Sequence, residues 1–338
     1  MILKQVIPVI LSNDQTSATP APFQHMFTYP VSSNALINTD CSNVRFHDST
    51  GNVITSWLEN SSGTWWLNLP NGIGAGSQII VYMNIYDSTN FVFDGISVGE
   101  APQLSSTYGQ YDNGANVFSL YFNGNTPLSD FNNEGNGLAQ ANVMGPTGAK
   151  INVISITGYA SNLGFVYTAK SLSNSAIIAE SSSQQNGLGA GGSSAANGQV
   201  AIVSGTDVSV LNAIGVAMGW DSSYLVNEYF SGGSMTGDIN QQGTANADWH
   251  YASVTYSGSA ATSWTGYIAP QLYSTSGGFS GSVSNNPLSS SALYLGLISE
   301  VNSTDVWQTY INWMRARAYP PNGVMPFILI SQWQSGGE

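Results

Sequence analysis

Charge is what this sequence most lacks. Of 338 residues only 6 are Lys or Arg and 19 are Asp or Glu, 7% charged in all, where an average soluble protein has roughly 25%. The basic residues Lys4, Arg45, Lys150, Lys170, Arg315 and Arg317 are scattered, and the net charge is −13. That excludes nucleic acid as a partner, because phosphate binding needs clustered Lys and Arg. A single cysteine, Cys41, excludes an internal disulfide and a Cys-based zinc site. No run approaches the ~20 consecutive apolar residues of a membrane-spanning helix. The opening stretch from Met1 to Gln15 is briefly apolar, but it has no small-residue cleavage site and is interrupted by Gln5 and Pro8. It reads as a first strand and not as a signal peptide.

What is present is apolar and uncharged polar. Hydrophobic residues make up 42% of the chain, enough for a large core and too many for a disordered chain. Ser, Thr, Asn, Gln and Gly take the places that Lys and Glu usually fill. In acid, where carboxylates neutralise, such a chain carries few positive charges. An average chain of this length would carry on the order of 40 and repel itself. The composition therefore predicts tolerance of an acidic exterior. It equally suits the uncharged surfaces of extracellular β proteins.

The pattern along the chain is β almost throughout, with short β-branched and aromatic runs between Gly, Asn, Ser and Asp clusters. Val44 to His47, a turn at Asp48 to Gly51, and Val53 to Leu58 read as a hairpin. Trp65 to Leu69 and Gln78 to Tyr86 are further strands, and the run Ile79-Ile80-Val81 predicts burial on both faces. Polar residues 103–116 mark a junction. The expected organisation is an N-terminal β-sandwich over 1–115 and a second antiparallel sandwich over 116–338. No segment carries a sustained 3.6-residue period, although Val306 to Arg317 could hold a helical turn or two. Gly187 to Gly192 and the following Ser-Ser-Ala-Ala-Asn-Gly read as a surface loop.

The motifs that would announce catalysis lack their context. Gly187 to Gly192 has the spacing GxGxxG, but no strand-to-helix turn surrounds it. Gly95-Ile-Ser-Val-Gly99 has the nucleophile-elbow spacing, but only His250 lies downstream and no α/β alternation is present. Sandwich-fold glucanases place paired carboxylates close together on one strand, and here the seven glutamates lie at least 34 residues apart. His25, His47 and His250 have no ligand spacing and read as structural. Asp207, Asp221, Asp238 and Asp248 offer oxygens to a calcium ion without the spaced ladder of a loop site. No cofactor is expected beyond that calcium alternative.

Aromatics carry most of the functional signal. Nine Trp and 17 Tyr either fill a wide β core with their polar tips bonded or stack on sugar faces. Trp220-Asp221-Ser-Ser-Tyr224 and Trp249-His250-Tyr251 pair aromatics with polar groups at strand ends. Trp220, Asp221, Tyr224 and Trp249 are therefore the candidate glycan-binding residues. Asn60 and Asn302 head glycosylation sequons, in keeping with an exterior location.

Several segments resemble a known pattern. Ile7-Pro-Val-Ile-Leu-Ser-Asn-Asp-Gln-Thr16, Val44 to Gly51, Trp57-Leu-Glu59 and Trp66 to Ile73 resemble an uncharacterised domain of large archaeal and bacterial adhesin-like surface proteins. Gly99 to Phe118 looks like versions from acidophilic archaea. The likeness is specific over 5–120 and diffuse over 121–331. In that family a concanavalin A-like jelly roll follows, closing with a strand similar to Ile311 to Tyr319 and a short terminal strand, here Met325 to Ser331. The chain departs from the pattern at Tyr121-Phe-Asn-Gly124, where acidic residues are usual, and it shows neither a leader nor an anchor. The resemblance implies an all-β, surface-displayed protein. The leading expectation is a non-enzymatic attachment or coat-decorating protein of an archaeal virion or cell surface, meeting surface glycans or the host. It would assemble with copies of itself or with other coat subunits. A glycoside hydrolase on the same fold and a purely structural subunit are the alternatives.

Overall fold

A computed structural model describes residues 2–60, 62–87, 114–134, 136–146, 148, 150–158, 163–168, 171–172, 176–187, 195–204, 212–219, 224–231, 234–242, 249–258, 260, 263–269, 279–284, 286–288, 292–301 and 307–330. The architecture is all β, built from antiparallel strand pairs. The chain divides into two units, residues 1–118 with 318–338 and residues 119–317.

The first unit is a sandwich of two sheets. Strands β1 (Leu3–Asn13), β3 (Val44–His47), β4 (Val53–Ile54), β7 (Ser77–Tyr86) and β23 (Phe327–Ile330) form a five-stranded sheet in the order β23-β1-β7-β3-β4. Strands β2 (Phe23–Thr28), β5 (Ser56–Asn60) and β6 (Thr64–Leu69) form a three-stranded one, β2-β6-β5. Period-2 alternation sends Ile7, Val9 and Leu11 of β1 and Val81, Met83 and Ile85 of β7 into one core with Phe23, Phe27 and Trp65. Each such buried side chain contributes about 1.5–3 kcal/mol. Phe27, Phe46 and Trp65 pack as a triad with centroids 5.5–6.0 Å apart. The opposite face of β6 buries Trp66 against Phe118, with its indole donating to Glu59 Oε2 at 3.0 Å. His25 Nε2 donates to the Pro326 carbonyl at 2.8 Å, and burial holds its pKa below the usual value. That bond and the β1–β23 ladder tie the last described residues to this unit. The sequence analysis assigns 116–338 to the second domain; in the structure Phe327–Ile330 pairs with β1 of the first unit.

The second unit is a larger sandwich. One sheet contains β10 (Asn136–Met144), β11 (Lys150–Gly158), β13 (Ile177–Gly187), β18 (Trp249–Tyr256), β19 (Trp264–Ala269), β20 (Phe279–Val283) and β22 (Trp307–Ala318). Their order is β10-β11-β22-β13-β18-β19-β20, and β8 (Leu120–Asn123) also pairs with β22. The other sheet contains β9 (Phe131–Glu134), β12 (Leu163–Thr168), β14 (Ala195–Ser204), β15 (Asn212–Gly219), β16 (Tyr224–Ser231), β17 (Ser234–Gln242) and β21 (Leu293–Val301), in the order β17-β16-β15-β14-β21-β12-β9. Ile154, Ile156, Ile177 and Val254 from the first sheet meet Ile202, Ile214, Leu295 and Leu297 from the second in a shared core. A two-sheet antiparallel sandwich is the architecture the sequence predicts.

Four local expectations are corrected. Ile80 is 40% exposed while Val81 is buried, so β7 alternates and is covered on one face. Val53 to Leu58 is not one arm of a hairpin: β4 pairs with β3, and β5 crosses to the other sheet. Ala195 to Gly198 is no loop but the start of β14, which slips register between Gly198 and Val200. Residues 307–318 are an extended strand with no helical turn. The apparent helical spacing there has a specific cause. Ile311 pairs with β11, Trp313 with β8, and the core face passes from Ile311 to Met314 and Ala316. The alternation shifts by one residue at that handover.

Candidate functional site

Trp249 opens β18, opposite Gln184 of β13. Ala252, Val254 and Tyr256 of the same strand enter the sandwich core, so Trp249, Tyr251 and Ser253 stand on the opposite, outer face. The Trp249 indole is half-buried and donates to the Met144 carbonyl at 3.0 Å, at the end of the β10–β11 hairpin. Met144 itself is 57% exposed. An amide row runs back along that hairpin. Asn142 Nδ2 donates to Asn152 Oδ1 at 2.8 Å, and Asn152 Nδ2 donates to Asn125 Oδ1 at 2.7 Å. Gln140 Nε2 donates to the carbonyls of Gly124 and Thr126, both at 3.1 Å. Only glycine fits at 124, because an added Cβ would overlap the backbone of Asn152. The result is an exposed surface of amides ending at an indole and a thioether, with the exposed Lys150 opposite Met144 as its one charge among these residues. Such a surface can hydrogen-bond hydroxyls and offer a flat apolar face to a ring.

Behind Trp249 on the same outer face lies a buried ionic cluster. Arg315 Nε donates to Glu180 Oε2 at 2.6 Å. Arg317 donates to Glu180 Oε1 through Nε at 3.0 Å and through its terminal nitrogen at 2.9 Å. The Tyr251 hydroxyl donates to the same oxygen at 2.7 Å. Arg315 stacks over the Trp313 ring, 4.5 Å from its centroid. Burial by itself would raise the Glu180 pKa, but the charges of Arg315 and Arg317, with the bonds from Arg317 and Tyr251, hold it at about 2. Burial, then the neighbouring carboxylate, push the Tyr251 hydroxyl well above its ordinary value. A fully buried carboxylate with both oxygens engaged by cations has no proton to donate near neutral pH and no access to a substrate. This cluster builds the sheet; it does not perform acid–base chemistry.

Sequence reasoning missed the cluster, although a signal was there. In a chain with six basic residues, Arg315-Ala-Arg317 on one strand places two cations on the same face, and that demands a buried or exposed anion nearby. Among the predicted site residues only Trp249 and Asn60 are fully described. Trp220 and Asp221 lie outside the described residues, as does Asn302. Tyr224 begins β16. Asn60 ends β5 and accepts a hydrogen bond from Ser62 Oγ, the hydroxyl of its own sequon. Of the four candidate glycan-binding residues, Trp249 is the one whose side chain is among the described residues. Of the calcium candidates, Asp207, Asp221 and Asp248 lie outside the described residues, and Asp238 lies in β17. The described residues contain no group of three or more His, Cys, Asp or Glu placed to hold a metal ion. The segments 95–99 and 188–192 also lie outside them. No helix among the described residues is long and apolar enough to cross a membrane.

No family model matches the chain. Uncharacterized protein 562 of Sulfolobus islandicus rod-shaped virus 1 is 45% identical over 326 residues, covering 94% of this chain and 57% of that protein. The chain thus spans a little over half the length of that relative. Solved structures with a similar strand arrangement include peanut lectin, at 8% identity and a TM-score of 0.42 over 60% of this chain and 97% of that one. A lectin from Bauhinia forficata gives 11% identity and a TM-score of 0.38, over 59% of this chain and 98% of that one. The carbohydrate esterase of the Shiga toxin-encoding bacteriophage phi24B gives 13% and 0.39, over 60% and 98%. The architecture described above rests on the strand pairing itself.

Proposed function

We propose that this protein is a non-enzymatic attachment protein displayed on an archaeal virion, recognising glycans through its second sandwich. The observation that carries the reading is the 45% identity, over nearly the whole chain, to a protein of an archaeal rod-shaped virus. The resemblance of residues 5–120 to domains of archaeal surface proteins points the same way. The surface chemistry supports the glycan part. An amide row from Asn125 to Asn142 leads to the Trp249 indole, and neutral donors and acceptors beside an aromatic face suit sugar hydroxyls and ring C–H groups. Glu180, buried and doubly paired, is unsuited to the acid–base pair a glycosidase needs.

A glycan array probed with the full chain at neutral and acidic pH tests the recognition. Signal on a restricted set of sugars is expected; a blank array at both pH values rejects glycan binding. Immunogold labelling of purified virions tests the location, and label confined to infected-cell interiors rejects display. A second reading, a structural coat subunit, draws on one observation. Phe327 and Leu329 of β23 are 44% and 49% exposed on an edge strand of the five-stranded sheet as described, and such edges invite strand pairing between copies. Sedimentation at high concentration tests it: a protein that stays monomeric rules it out.

A further inference from the structure

The first unit contains a groove that the attachment reading does not use. It arises from a gap in a sheet. Strand β7 pairs with β1 along its whole length, from Ser77 to Tyr86, but its other neighbour, β3, accompanies it only from Tyr82 to Ile85. At Asp48 the chain turns away into β4, so among the described residues the flank of β7 at Gln78 to Val81 has no neighbouring strand. Half of the backbone groups there point into the gap. The turn is rigid: Asp48 Oδ1 accepts from Thr50 N, Thr50 Oγ1 and Asn52 N at 2.8, 2.8 and 2.9 Å, and Oδ2 accepts from Asn52 Nδ2 at 3.0 Å.

The groove has a volume of about 700 Å³, within the roughly 300–1,000 Å³ of small-molecule sites. Its walls carry the amides of Asn52, Asn68, Asn71 and Gln78. Val53 and Ile80, 41% and 40% exposed, supply an apolar strip. Asn68 Nδ2 is used, donating to the Asn116 carbonyl at 2.9 Å. Its Oδ1 is shielded from solvent, so neither end of this amide is open to a ligand. The lining offers no Lys or Arg to an anion. Its one carboxylate, Asp48, is already occupied by its own turn and leaves little for a cation. Charge is therefore not what the groove selects. Groups that both donate and accept, on a framework with an apolar face, are what match it.

We propose that this groove is a saccharide subsite for neutral sugars, separate from the surface around Trp249. The inference rests on the reading of the protein as a glycan binder and adds a second point of contact in the other unit. An extended peptide adding a strand to β7 would also use the open backbone groups, but that mode relies on pockets for alternate side chains. Here amides line both walls.

The test is amide-resolved NMR of the full chain titrated with maltotriose, cellotriose and mannotriose, and separately with an uncharged four-residue β-forming peptide. Wild type, Ile80→Trp, Gln78→Leu and Trp249→Ala are compared. Ile80→Trp fills the groove from an exposed position, and an unchanged melting curve establishes its fold. Expected are shifts at Asn68, Asn71 and Gln78 with at least one trisaccharide. These should weaken tenfold or more in both groove variants and persist in Trp249→Ala. Shifts confined to the surroundings of Trp249 would overturn the subsite while leaving glycan recognition intact. No shift anywhere would overturn both. Shifts in the groove with the peptide but none with the sugars would reassign it to strand addition and so reject the proposal.

Discussion

Arg315 Nε lies 2.6 Å from Glu180 Oε2, and both side chains are fully withdrawn from solvent. Glu180 also holds Arg317, so one carboxylate pairs with two of the six cations in the chain. Removing its charge leaves two guanidinium groups facing a neutral amide in a dry environment, which is costlier than never having built the pair. Glu180→Gln is expected to destabilise the protein by about 3–5 kcal/mol, measured by urea unfolding at neutral pH. A loss no larger than that of a surface substitution would show that solvent reaches the cluster.

The same cluster sets part of the acid response. Glu180 has a folded-state pKa of about 2 against an ordinary value of 4.5, so on acidification the unfolded chain takes up the proton first. Its contribution is complete above pH 4.5, shrinks below that, and is gone once the pH falls through about 2. Asp48, lowered from 3.8 to about 2 by bonds from the Asn52 and Thr50 side chains, acts in the same direction and window on an exposed turn. The fold should therefore stay cooperative between pH 4.5 and 3 and weaken towards 2, followed by near-ultraviolet circular dichroism. In Glu180→Gln the dependence on pH across that window should flatten. An identical slope in the variant would place the acid-sensitive group elsewhere.

How legible this was in the sequence varies with the element. The limits of Trp249 to Tyr256 match β18 residue for residue: Ala252, Val254 and Tyr256 enter the core, while Tyr251 and Ser253 on the other face are buried as well, which the sequence did not show. Asn136 to Met144 and Ser234 to Gln242 carry too few β-branched or apolar residues to announce β10 and β17. These are held by ladder bonds to β11 and β16 and not by their own propensity. β22 looked part-helical because its core face shifts between Ile311 and Met314, which depends on β8 and β11, distant in sequence. For the site, Trp249 was readable as an aromatic at a strand end. The Met144 carbonyl that holds its indole lies 105 residues away, and Glu180 lies 135 residues before Arg315. No local period reports such partners.

Gly124 measures how tightly the amide row is built. A methyl group there would run into the carbonyl of Asn152 and the following peptide, and backbone yields less readily than a side-chain tip. Gly124→Ala should cost about 1–3 kcal/mol as an overpacking defect. It should also displace Asn152, whose amide bridges Asn142 and Asn125. Thermal unfolding gives the first quantity, and the side-chain amide resonances of the three asparagines give the second. A variant as stable as wild type would mean that the β8 turn and β11 are not in contact.

Cys41 offers an independent check on the first unit. It is buried, sits at a positive φ of 60°, and packs in the core beside Val44 and Phe46. Burial first, then the Asp40 charge, push its thiol up to about 12. Only the thiolate attacks disulfide reagents, so in mildly alkaline buffer the folded protein should be inert to a chromogenic aromatic disulfide. One equivalent should react on adding denaturant, with a rate that follows opening of the first unit. Because the reagent senses only that unit, the denaturant dependence can be compared between wild type and Glu180→Gln, whose defect lies in the other one. If the units unfold independently, the Cys41 profile is unchanged by the substitution while the global signal shifts. A Cys41 profile that moves in step with the global transition would show that the two units fold as one cooperative body.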